Sequence, residues 1–256
     1  MMSEVQDKLW VVLTGASGGF GTEFAIQLEA LGYHLILHGR DKSRLNLTYH
    51  ALQHPEHHIC MQADLSSRKE TERFIEKLAD YAIHGLVNNA GFGVWGGFAE
   101  KECVAQADVV RVDLLAPVML AHALIPQLKK HQGFMINVSS LAGETPLPYL
   151  ATYAAAKAGM TFWSEAIRAE HQGELIVVTL APGPSPTGFR DVSGAPKGKG
   201  NAFSAPAKQV VSAALQTLSI GGGYCVPGWR HKGLWLIQKL TPRFVSLILM
   251  ANYLKK

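Results

Sequence analysis

Acidic residues are missing from the last quarter of this sequence. No Asp or Glu follows Asp191, whereas nine Lys and Arg do (Lys197, Lys199, Lys208, Arg230, Lys232, Lys239, Arg243, Lys255 and Lys256), so a net charge of +4 divides into +9 here and −5 elsewhere. No recognised nucleic-acid-binding motif accompanies this charge, and nucleic acid is not expected as a partner. A phosphorylated or otherwise anionic small molecule, peripheral contact with a membrane surface, or plain solvation each accounts for it. Cysteine is scarce as well. Cys60, Cys103 and Cys225 are odd in number and far apart, which argues against a disulfide framework or a metal site and for a reducing, cytoplasmic setting. A long apolar run is lacking at the N-terminus, and the late one is short. "MMSEVQDKLW" does not read as a signal peptide, and "FVSLILMANYL" is too short to span a bilayer. With 48% hydrophobic and 17% charged residues, the composition is globular and excludes disorder.

What is present is a rhythm. The strand-like "LWVVLTG" leads into a helical pattern ending at Gly32, and "HLILHGR" follows. A helix over 41–54, the strand "HICMQADL", a helix over 67–80 and the strand "GLVNNAG" come next. A helix from about 101 to 130, "GFMINVSS", a helix over 152–171 and "ELIVVTLAPG" complete the series. Such alternation implies parallel strands with helical crossovers, an α/β fold with a doubly wound sheet flanked by helices. No linker or repeat divides residues 1–256, which are read as one domain. Two stretches depart from the rhythm. Residues 184–206, rich in Pro, Gly and Ser, are predicted to form a lid, because they follow a strand's carboxyl end, where open α/β sheets bind ligands. The C-terminal extension, 229–256, is predicted to form two helices broken before Pro242. The second is apolar nearly all round and is destined for the core, a subunit interface or a lipid surface.

"TGASGGFG", Thr14 to Gly21, joins the first strand to the first helix. Glycines let the backbone turn tightly and approach a diphosphate, whose charge the helix N-terminus favours. Gly15, Ser17, Gly18, Gly19, Phe20 and Gly21 are therefore candidate dinucleotide-binding residues. The second strand ends "HGRD". An acid there would hold the free ribose hydroxyl of NAD, whereas a 2′-phosphate repels acid and suits Arg. Gly39 stands where the acid is expected and Arg40 comes next, so NADP(H) is expected rather than NAD(H). Asp41 serves as the N-cap of the following helix on this reading; on the competing one, Arg40 is only a surface charge.

In "YLATYAAAK", residues 149–157, Tyr153 and Lys157 are four apart. On a helix they share a face, close enough for the ammonium to favour phenolate over phenol. Alone, such a pair arises by chance. In this sequence it has company: "TGASGGFG", "NNAG", "NVSS" and "YAAAK" occur in this order and spacing, and the chain resembles the short-chain dehydrogenase/reductase family over almost its whole length.

The resemblance implies a single Rossmann-like domain and an oxidoreductase that interconverts a carbonyl and an alcohol by hydride transfer with NADP(H). Tyr153 would exchange the proton, Lys157 would bind the nicotinamide ribose and lower the tyrosine's pKa, and Ser140, rather than Ser139, would hydrogen-bond the carbonyl oxygen. Asp64, with Leu65 beside it, would meet the adenine. "NNAG", Asn88 to Gly91 with Asn89, Ala90 and Gly91 as cofactor contacts, would line the dinucleotide. Pro182, Gly183 and Thr187 would close over the nicotinamide. The family commonly forms dimers and tetramers through the helices at 101–130 and 152–171, so a homodimer or homotetramer is expected.

One family residue is missing. No Asn lies between Asn89 and Asn137, and Asp113 stands where the family's catalytic Asn is expected. A carboxylate there would bind Lys157 and alter its effect on Tyr153, so reduced but present activity is expected. The alternative function is a catalytically weak NADP(H)-binding redox sensor or partner-binding protein, for which Asp113 is the only support. The apolar tail and the basic "PKGKG" narrow the expected substrate to a small apolar or lipid-like carbonyl compound. His50 and His54 have the spacing of a metal pair, but a solvated helix end explains them better, and Trp95 either lines a pocket or packs beside it.

Overall fold

A computed structural model describes residues 8–196 and 204–254; "PKGKG" beyond Pro196 lies outside them. The order of elements is β1 (Trp10–Leu13), α1 (Gly19–Ala30), β2 (His34–Gly39), α2 (Lys42–His50), β3 (Ile59–Gln62), α3 (Arg68–Leu78) and β4 (Ile83–Asn88). There follow α4 (Cys103–Val110), a π turn (Arg111–Leu115), α5 (Ala116–Lys130), β5 (Phe134–Val138), α6 (Ala151–Glu170), β6 (Ile176–Leu180) and α7 (Phe189–Ser193). The chain ends with α8 (Ala207–Ser219), β7 (Gly223–Cys225), α9 (Trp229–Leu240) and α10 (Arg243–Leu254).

All pairings are parallel and the strand order is β3-β2-β1-β4-β5-β6-β7. The chain reverses its direction of travel across the sheet between β1 and β4, which opens a crevice at their carboxyl ends. The central strands β1, β4 and β5 are buried on both faces, as crossover helices require. On one face α1 and α8 cover Val11, Leu13, Leu35 and Leu37 with Phe24, Leu28, Val210 and Val211. On the other, α3 and α5 cover Val12, Ile36 and Leu86 with Phe74, Leu78, Leu120 and Leu124. The continuous helical stretch Cys103–Lys130 is long and apolar enough to cross a membrane, but its Leu120, Ala121, Leu124 and Leu128 are buried in this core, and that burial accounts for its apolarity.

The structure moves several expected boundaries. The helix expected over 41–54 ends at His50: Gln53 and His54 donate their N–H groups to the Glu29 carboxylate at 3.0 and 2.8 Å, and a single 3-10 turn, Pro55–His57, follows. Asp41 is the N-cap of α2, accepting from Arg44 N at 3.0 Å. The segment 184–206 is not a plain loop, since α7 lies inside it between Gly188 and Gly194. Helix α8 and strand β7 are additions to the expected elements; β7 has three residues, the first a glycine, and follows two more glycines, too little for a recognisable strand pattern. The break before Pro242 lies where the sequence puts it. Among the described residues no cluster of metal ligands forms.

Candidate active site

The loops leaving the carboxyl ends of β1 to β6 surround one cavity of about 780 Å³. Gly15, Ser17, Gly18, Gly19, Phe20, Gly21, Arg40, Asp64, Leu65, Asn89, Ala90, Gly91, Pro182, Gly183 and Thr187 line it, as do Ser140, Tyr153 and Lys157. Of the expected catalytic residues Asp113 does not reach the wall; it stands directly behind Lys157.

At the dinucleotide end, Gly15 adopts φ +64°, and a Cβ there would come within 2.7 Å of Ala90 Cα. The β1 and β4 loops are therefore in backbone contact. Asn89 locks that contact, its Nδ2 donating to Thr14 O at 2.9 Å and Gly15 O at 3.0 Å. Asn88 is a correction: its side chain does not line the cavity but points into the sheet, donating to Asn137 Oδ1 at 2.8 Å, because neighbouring residues of a strand face opposite ways. Helix α1 opens into the cavity with Gly18 as its N-cap, no side-chain cap and no acid in its first turn. Its free N–H groups and dipole favour an anion. Arg40 is exposed at the end of β2. Arg44, which sequence reading overlooked, lines the same corner and donates to Ser17 O at 3.4 Å; its spacing four residues after Arg40 was the available signal.

At the other end, Lys157 is buried and fixed from two sides. Its Nζ donates to Val138 O at 2.9 Å and lies 3.2 Å from Asp113 Oδ2. Asp113 sits at the centre of the π turn, in which Ala116 N–H reaches back five residues to Arg111 O. Its Oδ1 accepts from Phe92 N at 2.9 Å. Desolvation pushes the Asp113 carboxyl above the usual carboxylate range, against the pull of Lys157 and the Phe92 N–H. Tyr153 is held above the ordinary phenol range by burial first and by the Asp113 carboxylate second, while a hydrogen bond with Ser140 acts the other way. Lys157 Nζ is 5.7 Å from the Tyr153 ring centre.

The two serines separate cleanly. Ser139 is buried, donates to Lys157 O at 2.9 Å and shares a 2.6 Å hydrogen bond with Thr161 Oγ1. Ser140 faces the cavity beside Tyr153, accepts from Ala142 N at 3.0 Å and has a 3.5 Å contact from its hydroxyl to Pro182 O. The Ser140 hydroxyl can therefore turn from these weak partners towards a ligand. Around this corner the wall is apolar: Trp95, Leu150, Phe189, Val192, Leu234 and Met250 line it, with Arg190 the cation on the lid side. Phe189 lies 4.9 Å from Tyr153, ring to ring. Trp95 is a lining residue, stacked on Tyr149 and tied to the lid through Ser193 O at 2.9 Å. The lining positions on the lid and tail carry no motif, and sequence reading left them undetermined.

Comparison with known proteins agrees with this arrangement. A very-long-chain 3-oxoacyl-CoA reductase of Neurospora crassa is 26% identical over 258 residues, covering 95% of this chain and 76% of that protein. A protein of the same name from Podospora anserina is 30% identical over 171 residues, 63% of this chain, but the match spans only half of that relative's length. Among solved structures, a short-chain dehydrogenase from Sphingobium yanoikuyae in complex with NADPH superposes with a TM-score of 0.81 at 25% identity, covering 95% of both chains. One from Burkholderia phymatum in complex with NAD gives 0.80 at 22%, again over 95% of both. The sequence pattern of the short chain dehydrogenases matches residues 9–197. Sheet, cleft and sequence agree, and this chain belongs to the short-chain dehydrogenase family, whose members are oxidoreductases of carbonyls and alcohols.

Proposed function

We propose that this chain is an NADPH-dependent reductase of a ketone borne on an apolar chain, with a 3-oxoacyl thioester as the substrate class. The observation that carries the reading is the convergence of Tyr153, Ser140 and Lys157 on one corner of a cavity whose remaining wall there is mostly apolar, with Arg190 and Gln238 among it. The names of the curated relatives point to the same class.

The residues present fit a nicotinamide dinucleotide. The uncapped N-terminus of α1 suits the diphosphate, Arg40 and Arg44 suit a 2′-phosphate, and Asp64 with Leu65 borders the adenine end. When bound, NADPH supplies the hydride. Lys157 has three N–H donors; Val138 O takes one and the Asp113 carboxylate pairs with the ammonium, so a remaining donor would hold the nicotinamide ribose. Tyr153 stays protonated in the reductive direction, as its raised pKa requires, and gives that proton to the substrate oxygen as negative charge grows there. The Ser140 hydroxyl turns from its long contact with Pro182 O to donate to the same oxygen. Arg190 is placed to meet an anionic group on the substrate. The non-catalytic alternative is not favoured, because the serine, tyrosine and lysine all face the cavity in usable orientations. We further propose a homo-oligomer through α4 to α6, where Val104, Val110, Leu115 and Phe162 are exposed.

The test is NADPH consumption against a series of 3-oxoacyl thioesters of increasing chain length. Rates rise with chain length and fall by about a hundredfold or more in Tyr153→Phe. Equal turnover by Tyr153→Phe, or no turnover of any member, contradicts the reading.

A further inference from the structure

Helices α9 and α10 divide their residues between two environments. Leu234, Gln238, Met250 and Leu254 turn inward and line the cavity. Trp229, Ile237, Leu240, Phe244, Ile248 and Leu249 turn outward and are exposed, Leu240 and Phe244 by 75% and 68% on either side of the break at Pro242. A soluble face would place polar side chains here.

The charges set among these side chains have one sign. Arg230 stacks on the Trp229 ring at 5.2 Å, Lys232 and Arg243 are exposed, and Lys239 reaches back to pair with Glu144 at 2.7 Å. No Asp or Glu occurs in either helix or anywhere after Asp191. A second copy of this chain is a poor occupant for such a face. A two-fold contact would press the same cations together, with no carboxylate in either helix to pair with them. An anionic lipid surface supplies an apolar layer for the exposed side chains and negative charge for the exposed Lys232 and Arg243. The helices lie on such a surface and do not cross it, because α10 has 12 residues and spans only about 18 Å of a hydrocarbon layer about 30 Å thick.

We propose that the outer face of α9 and α10 docks this protein on an anionic phospholipid bilayer, the inner face of the same helices forming the cavity wall. The Glu144–Lys239 pair and the hydrogen bond from Tyr224 to Glu144 tie this face to the turn that follows Ser140. Docking is independent of the reaction proposed above: it rests on the outer face alone.

The test is flotation of the whole protein with phosphatidylcholine vesicles that contain or lack phosphatidylserine. The protein floats with the anionic vesicles at low salt and is released by salt. Leu240→Glu with Phe244→Glu lowers the bound fraction by about tenfold or more, and Lys232→Glu with Arg243→Glu removes the part that salt controls. Neither pair lines the cavity, so turnover of a short, water-soluble carbonyl is unchanged in both variants. A protein that stays in solution with both vesicle types overturns the proposal, as does a dimer in solution that Leu240→Glu with Phe244→Glu converts to monomer.

Discussion

At the scale of single residues, the departure with the clearest consequence is Asp113. The carboxylate behind Lys157 neutralises part of the charge that favours the Tyr153 phenolate, and it adds its own repulsion to that phenolate. On the proposed mechanism, reduction needs the phenol and tolerates this, whereas alcohol oxidation needs the phenolate and is hindered. Replacing Asp113 by Asn therefore lowers the pKa of Tyr153. The acid limb of the pH profile for alcohol oxidation is predicted to move to lower pH, with the reductive rate at neutral pH less affected. Oxidation kinetics across pH check this, and a profile that stays in place in Asp113→Asn sinks it. Arg40 and Arg44 carry a second prediction. A charge-assisted hydrogen bond contributes about 1.5–3 kcal/mol, so Arg40→Ala and Arg44→Ala should each weaken NADPH binding about tenfold to a hundredfold while leaving NADH nearly unchanged. Titration with both nucleotides decides the matter, and equal losses for the two would remove the basis for NADP(H) selectivity.

At the scale of elements, stability lies in the crossover helices that clothe the sheet. Leu120 is fully buried between α5 and the strands, and Leu120→Ala is predicted to cost about 2–5 kcal/mol in urea unfolding. Exposed Leu115, five residues away, should show almost none of that loss in a monomer. The alternation of strands and helices was legible because the central strands are apolar on both faces and helices such as α3 carry a one-sided stripe. The candidate site was legible where chemistry fixes spacing: the glycines at the first turn, Tyr153 with Lys157, and Ser140 ahead of them. It was illegible where shape alone matters. Leu234 and Met250 enter the cavity from α9 and α10 through tertiary packing, and nothing in their local pattern separates them from Leu240 or Ile248, which face outward. Asn88 was misplaced for a related reason, since a motif lists neighbours while a strand sends them to opposite faces.

At the scale of the whole molecule, pH reaches the fold through His38. Its ring is buried at the end of β2, hydrogen-bonded to Ala63 O at 3.1 Å with Asp64 nearby, and burial brings its pKa down to about 4 from an ordinary 6.5. The unfolded chain takes up the proton first as pH falls, so this contribution is whole above pH 6.5 and is lost between there and pH 4. The loss amounts to roughly 3 kcal/mol. Urea unfolding at neutral and at mildly acid pH should show wild type losing more stability than His38→Gln; equal losses would mean that other groups govern acid sensitivity.

The central claim is that a reduced nicotinamide and Tyr153 together convert a ketone to an alcohol in this cavity. The most direct measurement supplies NADPH deuterated at the transferable position with a long-chain 3-oxoacyl thioester, and weighs the product. One deuterium on the carbinol carbon, formed by wild type and almost absent with Tyr153→Phe, is the predicted result. Tight NADPH binding with no deuterium transferred to any carbonyl would contradict the account.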